Sequence, residues 1–250
     1  TDMIYGLPHQ TPESFADSIK QLIALSPDRV SVFNYAHLPE RFAAQRKLKE
    51  SDMPTPRQKL GIFKNTLLQM NEAGYQFIGM DHFAKKKDEL AIAQNTGKLH
   101  RNFQGYTTHG ECDLLGLGVS SISQIGNAIL QNHKALKSYY QAVSETGCAL
   151  SKGMILNADD VLRADIIKQL ICHFSLRIAD IEHTHSIHFF EYFKRELKSL
   201  QPLVDDGLVM LSESHITITR KGNLFIRIIC MCFDVYLQNQ LQNTRFSRVI

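Results

Sequence analysis

The chain has 250 residues, 44% hydrophobic and 21% charged, with a formal net charge of +3 at pH 7 and both signs spread along its length. That length allows one large domain or two smaller ones with a real core, and the near-neutral balance gives no electrostatic support for nucleic-acid binding. The longest apolar stretch, around Ile226 to Tyr236, is shorter than the roughly 18–20 residues that span a bilayer and contains Arg227 and Asp234, so no membrane span is expected and a cytoplasmic location is the default.

Thr1 to Pro8 reads as the last residues of a strand followed by a turn, with Asp2 at the end of an apolar run. A buried strand at a true chain start would fray, so the chain is expected to be the back half of a larger enzyme. Thr11-Pro12 predicts a helix start, a capping hydroxyl followed by Pro at the first helical position. Phe15, Ile19, Leu22 and Ile23 form its apolar stripe, and Pro27-Asp28 breaks it. Arg29 to Tyr35 predicts the next strand, which makes a parallel strand–helix–strand unit. A second helix starts at Thr55-Pro56, carries Leu60, Phe63, Leu67 and Met70, and stops at Gly74. Tyr75 to Met80 predicts another strand, ending at Asp81-His82.

The stretch 85–127 is less regular, with a short helix capped by Asp88 and stopped at Gly97. A helix near 133–146 and a strand near 148–156 follow. The last hundred residues change rhythm. Asn157 and Asp160 open a helix with Leu162, Ile166 and Leu170 on one face. A second helix carries Phe189, Phe190, Phe193, Leu197 and Leu200 and ends at Asp205-Asp206-Gly207. Leu208–Leu211 and His215–Thr219 read as a hairpin, and Thr219 caps a long last helix from about Gly222 to Gln240. Helix, helix, hairpin, helix is a winged-helix-like order. The expected domains are residues 1–130 and 131–250.

In parallel α/β folds, ligands bind beyond the carboxyl ends of strands. Asp2, the run Asn34-Tyr35-Ala36-His37, and Asp81-His82 are the polar groups expected there. Asp2 suits a ribose, whose hydroxyls donate to a carboxylate; the other reading is a turn cap. An open backbone group at Ala36 suits an adenine edge. Gly116-x-Gly118 lacks the third glycine of a dinucleotide fingerprint, because Ser121 stands there. It is read as close backbone packing around a ligand or strand with Ile122 as an apolar wall, or as purely structural. Phe103-Gln104 offers a ring beside an amide, suited to a flat ligand or to a strand edge. The five cysteines, at 112, 148, 172, 230 and 232, show no C-x2-C spacing and are expected to be buried free thiols. His183, His185 and His188 are expected to be a solvated cluster with no metal, since no partner spacing completes a site. No catalytic side chain is assignable.

Four blocks carry a resemblance to a known family. They are Asp2-Met3-Ile4-Tyr5-Gly6-Leu7-Pro8, Ser31-Val32-Phe33-Asn34-Tyr35-Ala36-His37-Leu38-Pro39, Gly74 to Phe83, and His100 to Thr108. Together with the ending Phe246 to Ile250, they closely resemble the oxygen-independent coproporphyrinogen III oxidases, members of the radical S-adenosylmethionine enzymes. The resemblance implies an α/β fold, the back part of an incomplete parallel (β/α) radical-S-adenosylmethionine barrel followed by a mostly helical C-terminal domain. It implies oxidative decarboxylation of two propionates of coproporphyrinogen III to vinyls, giving protoporphyrinogen IX in haem biosynthesis. The chemistry it implies uses two S-adenosylmethionine molecules, a [4Fe–4S] cluster and an unidentified electron donor, in a monomer.

Carried over by position, the resemblance puts Asp2 against the second S-adenosylmethionine and Ala36 and Ile122 around the first. Phe103 and Gln104 fall close to the active site. The family's Cys-x3-Cys-x2-Cys cluster motif is absent from these 250 residues, so the chain alone is expected to be inactive and the activity to belong to a full-length parent. Two other readings stand beside this one: a haem-binding chaperone relative, and a non-catalytic truncated remnant.

Overall fold

The computed structural model describes residues 1–240; the block Phe246 to Ile250 lies outside them. β1 (Asp2–Tyr5), α1 (Pro12–Leu25) and β2 (Arg29–Asn34) form the expected unit, the two strands parallel with Asp2 opposite Ser31 and Tyr5 opposite Asn34. At the start of α1 the Thr11 hydroxyl accepts from the Ser14 amide at 3.1 Å, and Ser14 Oγ accepts from the Thr11 amide at 3.0 Å. Such a cap is worth about 1 kcal/mol over alanine. Phe15, Ile19 and Leu22 are buried, as spacing on one helical face requires. α2 (Pro56–Glu72) opens with the same device at Thr55 and Gln58 and packs on α1.

After β3 (Tyr75–Gly79) the sheet departs from the all-parallel expectation. Asp81-His82 does not follow a parallel strand, as expected, but lies at a reversal. The chain reverses there, and β4 (His82–Lys85) pairs antiparallel with both β2 and β3, giving the order β1-β2-β4-β3. Gly79 at φ 149° and Met80 at φ 54° make the reversal. A methionine in the left-handed region is an unusual turn residue, which is why the pattern concealed it. Arg29 ties β2 to the next helix through Asp88 and Glu89, both at 2.7 Å. That helix, α3 (Glu89–Asn95), is capped by Asp88 and ends before Gly97, as expected.

The irregular stretch holds more strand than its composition suggested. β5 (His100–Asn102) and β6 (Gly105–Thr107) form a hairpin with Phe103-Gln104 at its tip. β7 (Ile122–Ile125), β8 (Ala128–Asn132) and, after α4 (Leu136–Thr146), β9 (Leu150–Ile155) form an antiparallel sheet in that order. The expected division at 130/131 falls inside β8.

The C-terminal part runs α5 (Ala158–His173), β10 (Ser175–Arg177), α6 (Ile178–His185), α7 (Phe189–Tyr192), α8 (Lys194–Asp205), β11 (Val209–Leu211) and β12 (His215–Ile218). The three strands pair in the order β10-β12-β11. The winged-helix-like order therefore holds, with β10 and α6 added to it. The helix expected through Phe189 and Leu200 is interrupted at Phe193, which is fully buried between α7 and α8.

The long last helix is also broken. Gly222–Phe225 is a 3₁₀ turn, and α9 (Ile226–Met231) and α10 (Val235–Gln240) are separate. The Asp234 carboxylate accepts from the Tyr236 and Leu237 amides, both at 3.0 Å, and so starts a new helix where the old one would have continued. Two hydrophobic cores result, one between the β1–β4 sheet and α1 and α2, the other joining Ile78, Ala84 and α3 to the elements from α5 to α9. Phe77 and Phe174 stack at 6.0 Å and 9° where the two meet.

Candidate functional site

The carboxyl ends of β1 and β2 and the β3–β4 reversal open into a cavity of about 140 Å³. Tyr5, Asn34, Ala36, Lys59, Met80 and Asp81 line it from the sheet side, and Leu224, Ile226 and Arg227 close it from the C-terminal helices. Tyr5 stacks on Phe63 at 5.8 Å and 20°. Burial, with Asp81 nearby, pushes its phenol up to about 12, so it stays a neutral hydrogen-bond donor. Asn34 Oδ1 is buried without a hydrogen-bond partner. Such an orphan costs about 1–3 kcal/mol and marks where a donor fits. The Ala36 carbonyl accepts from Gln45 Nε2 at 3.1 Å, so it is not fully open as expected. The Ala36 amide donates to no acceptor among the described residues. One open donor and one open acceptor beside apolar walls match the edge of a nucleobase.

Asp81 binds His82 Nδ1 at 2.7 Å and lies 3.6 Å from Arg227 Nη2. His82 is edge-on to Phe33 at 5.9 Å and to Tyr106 at 5.3 Å. Tyr106 in turn donates to the Ile171 carbonyl at 3.2 Å. A side-chain carbon at Gly79 would collide with the Tyr106 hydroxyl, so the reversal, the hairpin and α5 share one packed contact.

The other expected site residues do not line this cavity. Asp2 is the first residue of β1, with Tyr5 at the carboxyl end, and its carboxylate is exposed; it is neither a carboxyl-end group nor a turn cap. Ile122 opens β7 and is half-buried. The close backbone packing expected of the glycine pair beside it holds at Gly116, where a side-chain carbon would stand 2.6 Å from the Ile122 carbonyl oxygen, and not at Gly118, which has no atom within 4 Å of that position. Phe103 and Gln104 are exposed at the β5–β6 tip, Phe103 by 52%, with the Gln104 amide held by Asn102 Oδ1 at 2.8 Å. Tyr5, Lys59 and Arg227 are the site residues that the motifs did not single out. A lone arginine inside the apolar run Leu224 to Met231 was the signal for Arg227.

The cysteines are not uniformly buried. Cys112 and Cys148 are exposed, whereas Cys172 and Cys230 are buried, with thiols pushed by burial up to about 12. Among the described residues no group of three or more His, Cys, Asp or Glu could hold a metal ion, so these residues do not fit an iron–sulfur cluster. His183 and His188 are exposed as expected, but His185 is half-buried and lies 3.1 Å from Asp165. Among the described residues no helix is long and apolar enough to cross a membrane.

Residues 156–225 match the family described as HemN C-terminal domain. Oxygen-independent coproporphyrinogen III oxidase of Escherichia coli (strain K12) is 58% identical over 100% of this chain and 54% of its own length. The Pseudomonas aeruginosa protein of that name is 52% identical with the same coverage. The Thermostichus vulcanus protein of that name is 42% identical over 100% of this chain and 77% of its own. The chain belongs to the oxygen-independent coproporphyrinogen III oxidase family. The solved structure of coproporphyrinogen III oxidase (HemN) from Escherichia coli, described as a radical SAM enzyme, superposes with a TM-score of 0.91 over 94% of this chain and 54% of that one. The chain spans about half the length of most of the curated oxidases it matches. The expected barrel portion with a helical C-terminal domain agrees with that superposition.

Proposed function

We propose that the full-length enzyme containing these residues converts two propionates of coproporphyrinogen III to vinyl groups without oxygen, giving protoporphyrinogen IX. The observation that carries this reading is the cavity at the carboxyl ends of β1 and β2, with its unpaired Asn34 acceptor and Ala36 amide, in a chain 58% identical to an oxidase of that name. A [4Fe–4S] cluster held outside these residues, with two S-adenosylmethionine molecules, supplies the hydrogen-abstracting radical when bound. Ala36 and Asn34 are assigned to the first of these molecules, with Ile122 as a further wall. Asp2 is assigned to the second, and Phe103 and Gln104 to the approach to the active site. The cavity is smaller than the roughly 300–1,000 Å³ of a ligand pocket, so these residues supply part of the site and are inactive alone.

In place of the division expected at 130/131, we propose one after β9, near residue 156; the family match over residues 156–225 supports it. A monomer, an electron donor yet to be named and a cytoplasmic location complete the proposal. The test is anaerobic turnover of coproporphyrinogen III by the full-length enzyme, with vinyl product and CO2 measured together. Two CO2 per protoporphyrinogen IX supports it; no vinyl product overturns it. Asp2→Asn should weaken S-adenosylmethionine use, and unchanged turnover and cofactor affinity would remove that assignment.

A further inference from the structure

We propose that Arg227 and Lys59 form a carboxylate-binding subsite at the mouth of this cavity, which takes a propionate of the tetrapyrrole; this rests on the functional reading above. The charge around the cavity favours an anion. Two cations, Lys59 and Arg227, line it against a single carboxylate, Asp81, and Tyr5 is held neutral.

The arginine is held in place but not used up. Asp81 is only 13% exposed and is fixed by His82 at 2.7 Å; Arg227, 50% exposed, reaches it with one nitrogen at 3.6 Å. A guanidinium has five N–H donors, and no other acceptor for Arg227 is present among the described residues. Its helix is anchored in the core by Ile226 and Ile229, which are 1% and 0% exposed. The remaining donors form a planar fork that a carboxylate matches with two parallel hydrogen bonds.

Lys59 approaches from α2 across the Gly6 turn. Gly6 has φ +88°, and a side-chain carbon there would stand 3.2 Å from Lys59 Cε and 3.1 Å from Asn34 Oδ1. The glycine therefore admits the lysine stem to the cavity. Lys59 comes from the barrel portion and Arg227 from the C-terminal helices, so a ligand carboxylate between them would bridge the two.

Two ligands of this chemistry are at hand: a tetrapyrrole propionate and the methionyl carboxylate of S-adenosylmethionine. The test uses the full-length enzyme and measures three affinities: coproporphyrin III and its tetramethyl ester by fluorescence, and S-adenosylmethionine by equilibrium dialysis. Arg227→Gln is expected to weaken coproporphyrin III binding about tenfold and to leave the ester and the cofactor within twofold. Arg227→Lys, which keeps the charge but not the fork, should fall between, and serves if Arg227→Gln does not fold. Lys59→Gln should show the same acid-selective loss. Acid binding unchanged in both Arg227 variants overturns the subsite. Equal loss for acid and ester also overturns it, because that marks a structural role. A loss confined to S-adenosylmethionine reassigns the pair to the cofactor and overturns the propionate. If the parent enzyme binds neither porphyrin, the functional reading fails and the subsite with it; if the parent binds and the variants match it, only the subsite fails.

Discussion

Removing the Arg163 side chain should be among the most damaging single changes in the C-terminal part. Arg163 donates to Asp159 at 2.8 Å, to Glu196 at 2.8 Å and to the Phe233 carbonyl at 3.2 Å, and its guanidinium lies 5.3 Å from the centre of the Phe193 ring. The side chains of Arg163 and Glu196 are 13% and 7% exposed. Burial alone would raise Asp159, but the hydrogen bonds from Arg163 and Tyr192 outweigh it and hold the carboxyl below its usual range. Arg163→Met keeps much of the stem but strands Glu196 without its cation. Breaking a buried pair from one side costs roughly 3–5 kcal/mol; with 13% exposure the low end applies, about 3 kcal/mol, or some 6–12 °C in Tm for a chain of this size. The double variant Arg163→Met with Glu196→Leu should recover at least half, since an apolar replacement removes the stranded charge. Urea midpoints on both variants decide it. A single-variant loss below about 1 kcal/mol, or a double variant as costly as the sum of the two single changes, would refute the buried-pair account.

Gly116→Ala should cost roughly 1–3 kcal/mol by overpacking against the Ile122 backbone, read in the same urea assay, and should weaken S-adenosylmethionine binding if Ile122 lines that site. A thiol reagent at pH 8 should label Cys112 and Cys148 quickly and leave Cys172 and Cys230 unlabelled until denaturant is added. Burial holds His100 and His173 below the usual imidazole range. The unfolded chain therefore takes up protons first as pH falls, and stability present above about 6.5 is lost as pH drops toward the folded values. His173→Gln should flatten Tm against pH below about 6.5; an unchanged slope would show that this histidine does not contribute.

Elements whose signals are local could be read directly. Thr11, Thr55, Asp88 and Asn157 all cap the helices assigned to them, because a cap depends on three or four neighbouring residues. Elements whose identity depends on distant partners could not. Two residues separate β4 from β3, and only pairing with β2 makes it a central strand. β7 and β8 looked irregular because Ile-Ser-Gln-Ile and Ala-Ile-Leu-Gln-Asn are only four and five residues long and show no apolar alternation. The run Leu224 to Tyr236 has the composition of one helix, yet Asp234 turns its carboxylate to the backbone and divides it.

The same distinction runs through the site. Ala36 could be placed from its position after β2, since strand ends are local. Arg227 could not, because it enters the cavity only through the packing of α9 against α5. That packing is secured from behind: Arg163 on α5 holds the Phe233 carbonyl just beyond α9, and Asp160 accepts from Tyr236 at 2.8 Å. The hydrogen-bond network predicted to set the stability of the C-terminal part is therefore also what aims Arg227 at the cavity. Arg163→Met should consequently weaken coproporphyrin III binding in the enzyme that still folds, although Arg163 is not among the residues lining the cavity.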